Sequence, residues 1–283
     1  MSKKNDAWSE CVAPFIDDAE RSQWEYVAAV QRLTHRRDPA ALEELKMKLA
    51  QVDAWPNDGQ ALRWGAYVCR HIGVSEYADT FWSRLLNIEE VAEARAALAR
   101  RAIEQGRFSD AETHITMLIH SEKGRGEGWL LRGVLEMQRH AYSDASAAFE
   151  AALEAGADNR KARMGCGMAE LAQSHADRAW THFTEVLSAH PDDAEAMHCV
   201  LRSGTALQRW QDLSEALQRF VQRNPADLSA RYALAGVSIR LGGYDLARAQ
   251  YDAVRLLNPA YDGLPDLAKA LDEHNACVMP HGR

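Results

Sequence analysis

The sequence predicts an all-α protein built from stacked helical hairpins, and three observations lead to this prediction. The chain has 283 residues, of which 47% are hydrophobic and 26% charged, so it has enough apolar material for a core. Small and large apolar residues recur at steps of 33 or 34 residues, which is typical of a repeat array. Glycine and proline separate the helical periods, where these residues end helices.

The repeat is visible in three slots of blocks that start near 59, 92, 126, 160, 194 and 228. The first slot is small in five of the six blocks, the second is alanine in five of six, and a large apolar residue follows four positions later. In block order, the slots hold Ala66, Ala99, Gly133, Gly167, Leu201 and Ala235, then Ala78, Ala111, Ala145, Ala179, Leu213 and Ala247, then Trp82, Ile115, Phe149, Phe183, Leu217 and Tyr251.

Each block is expected to fold as one hairpin. Small side chains let the two helices approach closely, and the large residue one turn later lies on the same helix face and fills the space before the next hairpin. Glycine, as at Gly73, permits the left-handed backbone that ends the first helix. Proline, as at Pro191, Pro225 and Pro259, stops the second helix. One hairpin cannot bury its apolar face alone, so neighbours must stack.

The domain organisation follows from these blocks. The expected segments are an N-terminal tail over 1–19, a degenerate helical hairpin or cap over 20–58, six repeats over 59–261, a C-terminal capping helix over 262–277 and a tail over 278–283.

The best block resembles the tetratricopeptide repeat family, whose pattern is W-x2-L-G-x2-Y, then A-x3-F, then P. It contains Trp129-x3-Gly133 followed by Ala145-x3-Phe149. The resemblance implies a right-handed superhelical solenoid of antiparallel helix pairs, with the first helix of each pair on the concave face.

Several residues depart from the family pattern. Arg132 replaces the usual leucine, and Glu136 and Glu170 replace the usual tyrosine. Leu201 and Leu213 fill both small slots of one block, which predicts a hairpin that opens slightly or packs at an altered angle.

Charge and composition weigh against several classes of protein. A net charge of −8 weighs against nucleic-acid binding by a broadly basic surface, since phosphate contacts need clustered Lys and Arg. No apolar stretch is long enough to span a membrane. A polar N-terminus and five scattered cysteines without a C-x-x-C pair favour a cytoplasmic location.

The motifs of common enzymes are missing from the sequence. Its 11 histidines form no H-E-x-x-H and no ligand spacing for a metal. Cys166 lies between two glycines inside a predicted helix, which favours close packing over a nucleophile. The loop from Lys123 to Gly126 lacks the phosphate-binding pattern. We therefore expect a non-enzymatic protein without a cofactor or metal.

The resemblance also implies where a partner would bind. First-helix residues predict a concave groove that is apolar and Met-rich at its centre, with Arg, Tyr and His towards both ends. Methionine suits an adaptable surface for an amphipathic helix or extended peptide. Alternatively, the Met and Leu residues pack between adjacent first helices and the arginines are solvated. The candidate partner-binding residues are Arg63, Tyr67, Arg70, Arg100, Leu130, Val134, Met137, Met164, Met168, Leu171, His198, Arg202, Tyr232 and Arg240.

The expected function is a protein-interaction scaffold or adaptor that binds a peptide or helix of a partner protein in this groove. Two alternatives stay open: a holding chaperone for a secreted or assembly subunit, and a regulatory subunit of an enzyme. A heat-shock co-chaperone role is disfavoured, because the slots where that group carries Lys and Asn hold Arg63, Tyr67, Ala96 and Arg100. The sequence leaves homo-oligomerisation open.

Overall fold

A computed structural model of the chain describes residues 57–278 and, before them, Glu43, Lys46, Met47, Leu49, Ala50, Gln51 and Asp53. The predicted tail over 1–19, most of the predicted cap over 20–58 and residues 279–283 lie outside the described residues. Residues 59–278 contain 13 helices, and no strand occurs among the residues described. The chain divides into two compact units, Met1–Gln138 and Arg139–Arg283.

The first unit contains five of these helices. Each of the first two hairpins has a connection of three residues, and neighbouring helices pack side by side from α1 to α5. The helices are α1 (Gly59–His71), α2 (Ser75–Leu86), α3 (Ala92–Glu104), α4 (Phe108–His120) and α5 (Arg125–Gln138).

The second unit contains the other eight helices, which also pack in chain order. They are α6 (Tyr142–Glu154), α7 (Asn159–Ala172), α8 (Ala176–Ala189), α9 (Ala194–Ala206), α10 (Trp210–Arg223), α11 (Leu228–Arg240), α12 (Tyr244–Leu257) and α13 (Leu264–Val278).

The turn inside each hairpin is built around one residue with a left-handed backbone. Glycine takes this place at Gly73, Gly106 and Gly242, whereas Ser174 and Gln208 adopt it with a side chain, at φ of 67° and 56°. The following N–H then bonds back to the last turn of the first helix, as in a Schellman motif. The chain therefore reverses within three residues.

Aspartates fix where four of the first helices begin. The carboxylates of Asp58, Asp158, Asp193 and Asp227 each accept a hydrogen bond from the backbone N–H three residues later, at 2.9 to 3.0 Å. Such N-caps satisfy a helix donor that would otherwise lack a partner. The second helices α8, α10 and α12 end two residues before the prolines at 191, 225 and 259.

The core follows the slots of the repeat. All six residues of the second slot are buried, as are Ile115, Phe149 and Phe183 of the large slot. A methyl group added at Gly167 would lie 2.5 Å from the ring of Phe183, so glycine is what lets the two helices touch. The predicted all-α fold class of stacked antiparallel helix pairs is confirmed.

The last helix covers the end of the second unit. Leu264, Leu267 and Leu271 of α13 are buried, and α13 packs on α12 and α11. In the first unit Leu49 is fully buried in the cluster formed by α1, α2 and α3. Among the residues described, no helix combines the length and apolar character needed to cross a bilayer.

Candidate functional site

A groove of about 410 Å³ lies in the second unit between α9 and α11, and we call it the α9–α11 groove. Its sides come from the two first helices, its back from α10, and one edge from Leu267 of α13. Most of the lining is apolar. The lining residues are Ala194, Met197, His198, Leu201, Thr205, Trp210, Leu217, Phe220, Asp227, Ser229, Ala230, Tyr232, Ala233, Gly236, Val237, Arg240 and Leu267.

Helical periodicity explains how α9 supplies one wall. Its lining residues lie at positions 194, 197, 198, 201 and 205, which fall on one face of a helix. Leu201 is one of the two leucines that break the small-residue pattern, and it is half-buried along this wall. Of these two leucines, Leu201 thus lines the groove and Leu213 lies fully in the core, while the altered packing of this hairpin stays a prediction.

Gly236 gives the groove its depth. The other helical glycines of the second unit pack tightly, because a methyl group at Gly165, Gly167 or Gly204 would lie within 2.6 Å of an aromatic ring. A methyl group at Gly236 would meet nothing within 4 Å. This glycine therefore leaves open space rather than a close helix contact.

The repeat shows how unusual this glycine is. At steps of 34 residues, its slot holds Arg100, Val134, Met168, Arg202 and then Gly236. Val134 and Met168 are 40% and 37% exposed, so the slot lies on the surface of the first helices. Only in the last of these five repeats does the slot lack a side chain.

The groove lining carries one arginine and one aspartate, and the two differ in their contacts. The guanidinium of Arg240 lies over the ring of Trp210, 4.8 Å from its centroid, and forms no ion pair with any residue that the structure describes. Asp227 is the one acidic lining residue, and its carboxylate accepts the N–H of Ala230 at 2.9 Å. The exposed His198 lies in the wall of α9.

In the second unit, the structure brings three predicted binding residues together: His198, Tyr232 and Arg240 all line the groove. Arg202 is exposed on α9 beside the groove lining. Whether these side chains contact a partner remains a prediction.

The remaining predicted residues of this unit lie on α7. Met168 is exposed and Leu171 is half-buried. Met164 is only 3% exposed and belongs to the core of the second unit. The expectation that Met164 lines an open groove is therefore corrected, because its side chain faces the packed interior.

In the first unit, two of the three predicted arginines have acidic partners. Arg63 bonds to Glu89 at 3.3 Å, and Arg100 bonds to Glu127 of α5 at 3.2 Å. These arginines therefore connect successive hairpins to each other.

The other polar residues of this surface are Tyr67 and Arg70. The hydroxyl of Tyr67 donates to Glu93 at the start of α3, and Arg70 is exposed at the end of α1. Tyr67 therefore repeats the connection that Arg100 makes to the next first helix.

The apolar residues predicted on α5 differ in exposure. Val134 is exposed and Met137 is half-buried, but Leu130 is only 6% exposed. Leu130 is therefore a second correction, since it packs inside the first unit as the alternative interpretation expects.

The buried acid at Glu170 has a structural role. Its carboxylate accepts hydrogen bonds from Ser146 and from Nδ1 of His175, both at 2.8 Å, and Arg178 lies 3.9 Å away. Burial alone would raise the pKa of Glu170, but these hydrogen bonds and the arginine hold it below the ordinary value. The Ser146 hydroxyl thus donates to a carboxylate whose lowered pKa makes it a weak base.

The described cysteines are also structural. Burial raises the pKa of the Cys69 and Cys166 thiols to about 12 and raises that of Cys199 as well. The nucleophile is the thiolate, so these residues are packed as unreactive thiols. Among the residues that the structure describes, no three His, Cys, Asp or Glu side chains are grouped closely enough to hold a metal ion.

Sequence reasoning missed Gly236 and Trp210 as groove residues. Gly236 could have been found by continuing the 34-residue step from Arg202, because a missing side chain in an exposed slot leaves a depression. The stack of Arg240 on Trp210 joins the end of α11 to the start of α10, and no local pattern shows which turns meet.

Comparison with known proteins finds a family model that matches part of the chain. Residues 96–160 match the family model described as tetratricopeptide repeat. A search of curated proteins found no significant match. These findings, with the structural similarities below, confirm the predicted resemblance to the tetratricopeptide repeat family.

Three solved structures show the same fold. The C-terminal part of a repeat-containing protein from Cytophaga hutchinsonii is 14% identical, with 84% of this chain and 97% of that chain covered and a TM-score of 0.60. Pseudomonas aeruginosa pilF is 14% identical, with 75% of this chain and 96% of that chain covered and a TM-score of 0.58. A tetratricopeptide repeat protein from Parabacteroides merdae is 15% identical, with 94% of this chain and 99% of that chain covered and a TM-score of 0.54.

Proposed function

We propose that this chain of tetratricopeptide-type repeats is a non-enzymatic protein-interaction scaffold, and that the α9–α11 groove receives a segment of its partner. The observation that carries the proposal is the open, mostly apolar depression above Gly236, which a side chain from another protein would fill. Concave apolar sites with a few polar groups are where ligands bind most often.

The buried chemistry supports a binding role over catalysis. Ser146, Glu170 and His175 satisfy one another, and burial disfavours the reactive form of the described thiols. Each of these groups serves the packing of a hairpin. We propose a cytoplasmic location on the sequence evidence alone.

The binding residues proposed for the groove are His198, Tyr232 and Arg240, with Arg202 beside them. The exposed side chains of Met168 and Val134 extend the apolar character of the first helices outside the groove. They favour, as a second candidate, a holding chaperone that shields an apolar segment of an assembly subunit.

Site-specific photo-crosslinking in the native cell tests the proposal. A photoreactive phenylalanine analogue replaces His198 in the groove or, as the matched control, the exposed Ala249 on α12. We expect the probe at His198 to form a discrete adduct with one partner protein, identified by mass spectrometry, and the probe at Ala249 not to form it. The same adduct from both positions, or none from His198, would contradict groove binding.

A further inference from the structure

We infer that the α9–α11 groove selects an extended peptide segment carrying a large apolar side chain and, two residues away, a carboxylate. This inference rests on the proposed function and specifies the partner chemistry. The apolar side chain enters the depression above Gly236, and the carboxylate pairs with Arg240.

The shape and lining of the groove favour a large apolar side chain in the peptide. Around Gly236 the lining residues include Ala233, Val237, Met197 and Leu201, none of which offers a side-chain hydrogen-bond donor. An aromatic or large aliphatic side chain inserted there is removed from water on most sides, which is the main source of affinity in such sites.

The expected selection of a carboxylate in the peptide rests on charge complementarity with Arg240. Arg240 is stacked on Trp210, which holds the guanidinium in place, and it forms no ion pair among the residues described. The carboxylate of Asp227 is occupied as an N-cap. A ligand carboxylate would therefore pair with Arg240, since a guanidinium can bind a carboxylate through two parallel hydrogen bonds.

A second arginine, Arg202, strengthens the preference for an acidic peptide. In the first unit Arg100 is neutralised by Glu127 of the next first helix, 27 residues later. The corresponding partner position for Arg202 is occupied by Ser229. Arg202 therefore has no carboxylate at this position, and its guanidinium beside the groove favours acidic segments over those with Lys or Arg beside the anchor.

The spacing of the two contacts sets the peptide pattern. Gly236 and Arg240 are one turn apart on α11, a rise of about 6 Å. In an extended peptide, residues n and n+2 face the same side and lie about 6.6 Å apart. An apolar residue, any residue and then Asp or Glu, in either chain direction, therefore matches the groove.

Fluorescence anisotropy with synthetic peptides tests the inference on the full chain. The probe is a fluorescein-labelled peptide Gly-Ser-Phe-Ser-Asp-Ser-Gly with an amidated C-terminus, and the matched probes carry Asn for Asp or Ser for Phe. We expect the Asn peptide to bind about tenfold more weakly, as for one charged hydrogen-bonded contact. We expect the Ser peptide not to bind measurably.

Protein variants locate the binding. Gly236→Trp fills the depression and is expected to abolish binding of the Phe-Asp peptide. Arg240→Gln is expected to make the Asp and Asn peptides bind equally. The controls are Ala249→Trp on α12 and Arg219→Gln on α10, both exposed and outside the groove lining, and both are expected to bind like the parent. Circular dichroism confirms that each variant keeps its helicity.

The outcomes separate this inference from the proposed function. Equal binding of the Asp and Asn peptides by the parent, or an unchanged preference in Arg240→Gln, overturns the acidic selectivity. Unchanged binding in Gly236→Trp overturns the location. If no probe binds at millimolar concentration while the crosslinker at His198 still captures its partner, the selectivity is wrong and the proposed function stands. If the crosslinker also fails, both are wrong.

Discussion

The first helices of the two units present different surfaces, although both follow the same repeat. In the first unit, Tyr67 and Arg100 reach glutamates at the start of the following first helix. In the second unit, the corresponding residues of the last two repeats are Arg202 and Gly236. Arg202 meets no carboxylate there among the residues described, and Gly236 has no side chain.

The difference shows that the same surface slot can hold a bonded side chain in one repeat and be left open in another. The core slots keep the hairpins packed in both units, whereas this surface slot holds Tyr67 and Arg100, which bond to the next first helix, and leaves a depression at Gly236. In the proposed function, binding thus depends on residues that contribute little to the fold. The experiments below test this division, starting with the core.

Truncating the large apolar residue of a repeat should strongly destabilise the unit that contains it. Ile115 in the first unit and Phe183 in the second are both fully buried. Replacing either with Ala is expected to lower the free energy of unfolding by about 2–5 kcal/mol, because the lost contacts leave a cavity. Urea denaturation followed by circular dichroism measures this. If either variant unfolds like the parent, that slot is not a core slot in its unit.

Adding one methyl group to two glycines should have opposite effects. Gly167→Ala places a methyl group 2.5 Å from the ring of Phe183 and is expected to cost about 1–3 kcal/mol. Gly236→Ala meets open space and is expected to stabilise by about 0.5–1 kcal/mol, since Ala favours a helix. Thermal unfolding of both variants checks the signs. A loss of stability at Gly236 would show that its slot is already filled.

The turns provide a third comparison between the units. The first unit uses Gly73 and Gly106 at the left-handed position, whereas the second uses Ser174 and Gln208 at two of its turns. A side chain there costs about 1 kcal/mol relative to glycine. Gln208→Gly is therefore expected to raise the free energy of unfolding by about that amount. Gly106→Ser should lower the free energy of unfolding by a similar amount. If both variants are as stable as the parent, a side chain at the left-handed position has no cost in these turns.

Much of the fold could be predicted from the sequence, because the determinants of each hairpin are local and repeated. Ala145 and Phe149 lie one turn apart on one helix, and Pro191 lies just beyond the end of another, so spacing alone identifies them. Burial was harder to predict. Met164 and Met168 are one turn apart on α7, yet only Met168 is exposed.

The candidate site was less predictable than the fold, because it depends on contacts between neighbouring hairpins. The availability of an arginine depends on whether a residue of the next hairpin carries a carboxylate, as Glu127 does for Arg100. The groove itself comes from a missing side chain at Gly236, and a search for chemically active residues passes over glycine. Periodicity gives the slot, but only the packing around it shows whether the slot is filled.

Two histidines at equivalent positions predict that both units lose stability in acid. His114 and His182 are 68 residues apart, which is two repeats. Burial lowers the pKa of both, aided by Arg95 beside His114 and Arg163 beside His182, against the opposing effect of nearby Asp and Glu. The unfolded chain therefore binds protons more readily, and stability should fall as the pH drops below about 6.5.

Urea denaturation between pH 7.5 and 5 measures this dependence. Each of His114→Gln and His182→Gln is expected to reduce the loss of stability on acidification, since the substituted residue no longer takes up a proton. His71→Gln, at an exposed position, is the control and should follow the parent. A steeper loss in either buried variant would reverse the assigned sign.

The smallest expected effect on stability comes from transferring the first unit's ion pair to the second. Ser229→Glu places a carboxylate 27 residues after Arg202, as Glu127 follows Arg100. Because exposed ion pairs contribute little, the free energy of unfolding should change by less than about 0.5 kcal/mol. Binding of the acidic Phe-Asp peptide should nevertheless weaken several-fold, since the new carboxylate in the groove lining pairs with Arg202 and repels the peptide.

The neutral variant Ser229→Gln separates charge from size. It introduces a side chain of nearly the same length and is expected to keep most of the affinity for the acidic peptide. Raising the salt concentration should narrow the gap between the Glu and Gln variants, because screening weakens exposed charges. If the two variants bind the peptide equally at low salt, the groove does not distinguish its partners by charge, and the contrast between the two units would be one of shape alone.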